Sequence, residues 1–177
     1  MQHHSPRHGF TLVELATVLA VAAVLAGSAV PSLADFTAAR RLDGVAAQLA
    51  TDIQFVRSDA VARNTPVRFS VHNGADGSCY VLHTGAAASC TCAASGPAVC
   101  SGNAREIKTV QLPAREGLAL QSNAASLLFD PLHGTVSPTA TLRVIGSQGR
   151  AIHHVVNLMG RLRSCSPQGA VAGLPAC

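Results

Sequence analysis

Two groups of residues in this 177-residue chain are placed to do chemistry. The first is Glu14, a lone carboxylate immediately before Leu15 to Ala34, a run of twenty residues without a charge. An unpaired carboxylate beside such a run costs several kcal/mol in an apolar phase, so something must compensate it. Cutting the Gly9-Phe10 bond would create an α-amino group on Phe10, four residues before Glu14. That cation suits the carboxylate of a neighbouring copy of the chain, and a helix that needs another copy for its charge is a subunit of an assembly. The second group is the tetrapeptide Gly160-Arg161-Leu162-Arg163. In an extended strand Arg161 and Arg163 point to one face about 6.6 Å apart, a spacing at which two guanidinium forks can each engage a phosphate bidentately. Gly160 would let backbone approach such a ligand closely.

The surroundings of the arginines favour an anionic partner. No Asp or Glu follows Asp130, whereas Arg143, Arg150, Arg161, Arg163, His133, His153 and His154 all do. Twelve of the 13 Lys and Arg residues follow Gly9, and four of these lie in the acid-free segment. That segment has no aromatic side chain, which argues against stacking on single-stranded bases and for sequence-independent contact with duplex phosphates. Three or four phosphate contacts give a log–log salt slope of roughly −3 to −4, the signature of weak binding. His153 and His154 are adjacent, so in a strand they face opposite sides and cannot chelate one ion together. No G-x-S-x-G, H-E-x-x-H or phosphate-cradling loop is present, and neither catalysis nor a cofactor is expected.

Elements must hold these groups in place. The run from Leu15 is long enough to cross a hydrocarbon core of about 30 Å. It exceeds the apolar region of a secretory signal, and a plain anchor leaves Glu14 unexplained. Pro31 predicts a kink near the end of the run. From Thr37 to Asn64, the residues Leu42, Val45, Leu49, Ile53, Val56 and Ala60 form one helical stripe, with Arg41, Asp43, Gln48, Asp52, Arg57, Asp59 and Arg63 largely on the other side. Asn64-Thr65-Pro66 ends the helix. Strands are predicted at Val67 to His72, Cys79 to His83, Glu106 to Leu112, Leu118 to Gln121, Ser126 to Asp130, Ala140 to Ile145, Ala151 to Asn157 and Met159 to Ser164. The segment Ala86 to Ala104 reads as an irregular loop pinned by disulfides. The expected fold is α+β, one long N-terminal helix packed on antiparallel β-sheets.

Six cysteines behind a membrane-targeting segment read as disulfides formed in an oxidising compartment. Cys165 with Cys177 closes the C-terminal tail, worth about 3 kcal/mol in the chain-entropy picture, and fixes the tail before a ligand arrives. Cys79, Cys90, Cys92 and Cys100 pair among themselves in an order that spacing leaves open. Cys90-Thr91-Cys92 lacks the paired spacing of a structural zinc site, so no metal is expected.

Arg7 to Glu14 closely resembles the processing site of type IV prepilins and type II secretion pseudopilins: a short basic leader, Gly before the cut, Phe after it and Glu as the fifth mature residue. The resemblance implies that a prepilin peptidase removes residues 1–9 and methylates the Phe10 amine. Residues 10–36 would then be the transmembrane and polymerisation helix, and residues 37–177 a periplasmic globular domain (helix 37–64, β-rich 66–177). Ile53 to Val67, Phe129-Asp130-Pro131-Leu132-His133-Gly134-Thr135 and Gly149 to Cys165 are similar to the FimT/GspH branch of minor pilins and pseudopilins. In FimT-like minor pilins a Gly-Arg-x-Arg motif is implicated in binding DNA during natural transformation. The resemblance therefore implies two alternatives. One is a FimT-like pilin that binds double-stranded DNA through Gly160, Arg161 and Arg163, to which the acid-free charge pattern adds Arg143 and Arg150. The other is a GspH-like pseudopilin with a purely structural role in type II secretion. Both imply residence in the inner membrane before assembly with other pilins or pseudopilins.

Overall fold

The computed structural model describes residues 9–177, with the side chains of residues 28–31 outside the described set. The leader up to His8 and the bend expected at Pro31 thus lie outside the described residues. The first element is α1 (Leu12–Arg63), 52 residues long. Thr11 caps it, its Oγ1 accepting the Glu14 N–H at 3.2 Å. Glu14 lies in the first turn, where a negative charge meets the positive end of the helix dipole. The far end closes with Asn64 at φ 49, while the Thr65 N–H reaches Ala60 O (3.1 Å) and the Asn64 N–H reaches Val61 O (3.2 Å). This is a Schellman stop with Asn in the left-handed position, and Pro66 follows.

The chain divides into two compact units, one ending at Ala38 and the other spanning Ala39–Cys177. In the first, the helix is long and apolar enough to cross a membrane by length and composition. Its described apolar side chains, among them Phe10, Leu15, Val18, Leu19 and Val24, are exposed.

In the second unit Leu42, Ala46, Leu49, Ile53, Val56 and Ala60 of α1 are buried in one core with residues from two sheets. Five strands, β1 (Val67–Gly74), β2 (Gly77–His83), β5 (Glu106–Pro113), β7 (Ser126–Phe129) and β8 (Val136–Ser137), form a sheet ordered β5-β2-β1-β7-β8. Four more, β6 (Ala119–Ser122), β9 (Ala140–Ile145), β10 (Ala151–Val156) and β11 (Leu162–Cys165), form a second sheet ordered β11-β10-β9-β6. All pairings in both are antiparallel. Phe69, Tyr80, Leu82, Leu127 and Phe129 of the first sheet meet Leu120, Leu142, Val144, Ile152 and Val156 of the second in that core.

The polar side expected for α1 is not uniformly solvated. Asp52 and Asp59 are buried, at 5% and 9% exposure. Asp52 accepts hydrogen bonds from the Tyr80 hydroxyl and from Nζ of Lys108, the only lysine, each at 2.7 Å. Burial and then the neighbouring carboxylate push the Tyr80 hydroxyl pKa upward, so it remains a donor. Asp59 is held by Arg63 Nε at 2.7 Å.

The first sheet is covered on both sides. Along β2, Tyr80 and Leu82 enter the helix-facing core, while Cys79, Val81 and His83 are buried on the opposite face. The segment expected to be an irregular loop supplies that second cover. It contains a small ribbon of β3 (Cys90–Thr91) and β4 (Val99–Cys100), held by Cys79–Cys92 and Cys90–Cys100. Gln111 Nε2 donates to the carbonyls of Ala93 (3.2 Å) and Gly96 (3.1 Å). Beneath the cover, Ser70 Oγ lies 2.8 Å from His83 Nε2 and 3.0 Å from Ser126 Oγ, and His83 Nδ1 is 3.0 Å from Thr84 O. With Ser70 1% and His83 0% exposed, this pair is a structural lock beyond the reach of a substrate.

Candidate nucleic-acid interface

Antiparallel pairing of β10 with β11 and β9 decides which arginines share a face. Val155 stands opposite both Arg163 and Thr141, and His153 opposite both Cys165 and Arg143. Ile152, His154 and Val156 are buried, so the odd-numbered residues of β10 and their partners face outward. Arg143 and Arg163 are both exposed on that outward face. Two inter-strand spacings and two residues along the strand separate them, which puts their Cα atoms about 12 Å apart.

Arg161 precedes β11 and extends the same register. The Asn157 N–H donates to Arg161 O at 3.1 Å, while the Arg161 N–H donates to Asn157 Oδ1 at 2.9 Å. Asn157 to Gly160 therefore form a turn, closed by the Gly160 N–H on Asn157 O at 2.9 Å. The strand expected from Met159 begins instead at Leu162, because Gly160 at φ +70 lies outside strand geometry. Arg161 and Arg163 are exposed on the same side of the edge strand.

Gly160 itself is buried. A Cβ there would stand 2.9 Å from Gly134 O and 3.0 Å from both Cδ and Nε of Arg57. The close approach expected between Gly160 and a ligand is thus replaced by a close approach to the protein's own helix. Arg57 Nε also donates to Gly134 O at 3.0 Å, so one helical side chain fixes two turns. Arg57 was expected to face solvent, and nothing in the spacing of the helix revealed this role. The Asn and Gly flanking Leu158-Met159 were the available signal for the turn.

Arg150 does not join the other three. It stands opposite Gly146 at the far end of β10, where the Gly146 N–H donates to Arg150 O at 2.9 Å. By alternation this pair belongs to the helix side of the sheet, and Gly146 packs against Leu42.

His154 is buried, with Nε2 2.9 Å from Ala46 O and Nδ1 2.8 Å from Ser164 Oγ, tying the edge hairpin to α1. Burial holds its pKa below the ordinary imidazole value. His153 lies outward beside Arg143; burial first, and then the guanidinium charge, depress its pKa as well. It is therefore neutral at neutral pH and adds no cation to the surface. Cys165 is bonded to Cys177, and the tail is pinned by the Ser166 N–H on Pro175 O (2.9 Å) and the Cys177 N–H on Ser166 O (3.2 Å). His153 stands 3.6 Å from Cys177 Sγ, but both sulfurs of that cluster are engaged in the disulfide and cannot ligate a metal as thiolates. Arg63–Asp59, Lys108–Asp52 and His133–Asp130 form ion pairs at 2.7, 2.7 and 3.2 Å.

Residues 45–160 match the family described as type II transport protein GspH, and residues 4–30 match the prokaryotic N-terminal methylation motif. No curated protein matches the chain in sequence. The crystal structure of the type IV minor pilin FimU of Pseudomonas aeruginosa (strain PAO1) is similar at 17% identity, covering 75% of this chain and 97% of that one with a TM-score of 0.54. A second crystal form of FimU gives 16% identity, 72% and 98% coverage and a TM-score of 0.49. The long helix, the antiparallel sheets and a family match over most of the chain lead to one assignment: this protein belongs to the GspH family of minor pilins and pseudopilins.

Proposed function

We propose that this chain is a FimT-like minor pilin of a type IV pilus, one that captures double-stranded DNA for uptake in natural transformation. The observation that carries the reading is the outward face of the β11-β10-β9-β6 sheet. It gathers Arg143, Arg161 and Arg163 in a part of the chain without an Asp or Glu side chain. Residues 131–177 supply no Asp or Glu side chain to oppose phosphates bound there, and the turn at Asn157–Gly160 holds the two edge arginines before a ligand arrives. Arg150 takes no part in this surface. Gly160 shapes the turn rather than touching DNA.

The processing reading rests on the Gly9-Phe10 site and on Glu14 in the first helical turn. A prepilin peptidase cuts before Phe10, the chain waits in the inner membrane with residues 37–177 in the periplasm, and the Phe10 amine then meets Glu14 of another subunit on assembly. Three disulfides favour that oxidising compartment.

The test is duplex binding by the full-length protein in detergent. Binding should weaken with salt at a log–log slope of roughly −3, and Arg161→Gln with Arg163→Gln should remove about two units of that slope. Unchanged binding in the double variant would reject the site. The family match to a type II transport protein favours a second reading, a structural pseudopilin of a secretion system. Deleting the gene separates them: loss of transformation with intact secretion supports the first, and the reverse supports the second.

A further inference from the structure

We propose that Leu158 and Met159, at the tip of the β10–β11 hairpin, form an apolar wedge that enters a base step of the duplex held by the neighbouring arginines. The inference rests on the DNA-binding reading of that surface and adds the deformation the duplex undergoes there. Both side chains stay in solvent, 57% and 56% exposed, although they are apolar. They cannot fold back onto the core, because the backbone beneath them is fixed from four directions. Asn157 pairs with Arg161, Leu158 O accepts the Val136 N–H at 2.8 Å, the left-handed Gly160 closes the turn, and Arg57 fills the space under Gly160.

Two exposed cations, Arg161 and Arg163, follow the tip on one strand, and the exposed Val155 lies opposite Arg163 on the next. Leu and Met flanked by phosphate-binding arginines are the combination with which proteins prise base steps apart from the minor groove. The hairpin lacks an aromatic ring, so insertion rather than stacking on a platform is the contact open to it. A second copy of this chain is a poorer occupant. The chain carries only nine acidic residues and a net charge of +4, which does not complement a rim of arginines.

The protein has no tryptophan, so Met159→Trp provides a single reporter at the tip. In full-length protein in detergent, adding a short duplex with a central TA step should quench that emission by half or more. Unchanged emission, with binding confirmed by anisotropy of the labelled duplex, overturns the wedge. Leu158→Ser with Met159→Ser, both at exposed positions, should abolish bending of an end-labelled duplex seen by energy transfer. The same variant should lose a several-fold preference for a mismatched over a fully paired duplex, with the salt slope retained. If the serine variant bends DNA like the parent yet no longer enters filaments, the tip is a subunit contact and the wedge is overturned. If the unsubstituted protein binds no duplex at all, the arginine reading itself fails, and the wedge with it.

Discussion

Arg57 and Gly160, 103 positions apart in the chain, touch so closely that a Cβ on the glycine would lie 3.0 Å from the arginine's Cδ and Nε. The contact couples the helix of the unit to the edge hairpin that carries Arg161 and Arg163. It also makes the outward face a preorganised surface, since the same guanidinium holds Gly134 O at 3.0 Å.

Gly160→Ala should therefore damage folding before it damages anything else. The substitution meets both a left-handed φ of +70 and backbone at 2.9 Å. We expect a loss of about 1–3 kcal/mol in urea unfolding. A variant as stable as the parent would show that the turn relaxes freely.

Arg57→Met keeps the aliphatic stem and removes the charged hydrogen bond to Gly134. Its expected cost is about 1–2 kcal/mol, the guanidinium being only half-buried. Duplex affinity should fall with the salt slope unchanged, because no phosphate contact is lost. A shallower slope would place Arg57 on the DNA instead.

Acid should loosen this fold from a definite pH. His83, His153 and His154 all have pKa values held below the ordinary 6.5, in each case first by burial. The unfolded chain thus takes up protons at higher pH than the folded one, so stability is complete above about 6.5 and declines below it. The melting temperature should be flat from neutral to mildly alkaline pH and drop as the pH falls below about 6.5. His154→Gln should flatten part of that drop. A profile that rises on acidification would contradict the assignment of neutral, buried imidazoles.

Filament entry should depend on Glu14. Mass spectrometry of the cellular protein is expected to find Phe10 at its N-terminus, and Glu14→Ala is expected to leave the subunit in the membrane fraction while processing continues. Equal incorporation of the variant into filaments would remove the case for charge pairing between copies.

The helix and most strands were legible because their spacing is local: the stripe from Leu42 to Ala60 repeats every three or four residues, and β9 was readable at both ends. Asp52 and Asp59 were not, since the partners that make burial of Asp52 tolerable lie 28 and 56 residues away at Tyr80 and Lys108. The pairing of Arg161 with Arg163 followed from alternation alone. Arg143 joined them through register across two strands, and Arg150 was separated by the closing pair at Gly146, neither of which spacing reveals. The turn at Asn157–Gly160 was hidden by apolar Met159, which read as the start of a strand.

The two disulfides over the first sheet interlace: Cys79 joins Cys92 across the ribbon that Cys90 closes with Cys100. In order of synthesis the first two of these four thiols are Cys79 and Cys90, which are not native partners. An oxidase acting in order of emergence would join the wrong pair, and thiolate exchange must then reshuffle it. Supply of this subunit would accordingly be limited by disulfide isomerase capacity, and cells lacking that enzyme would build filaments short of it.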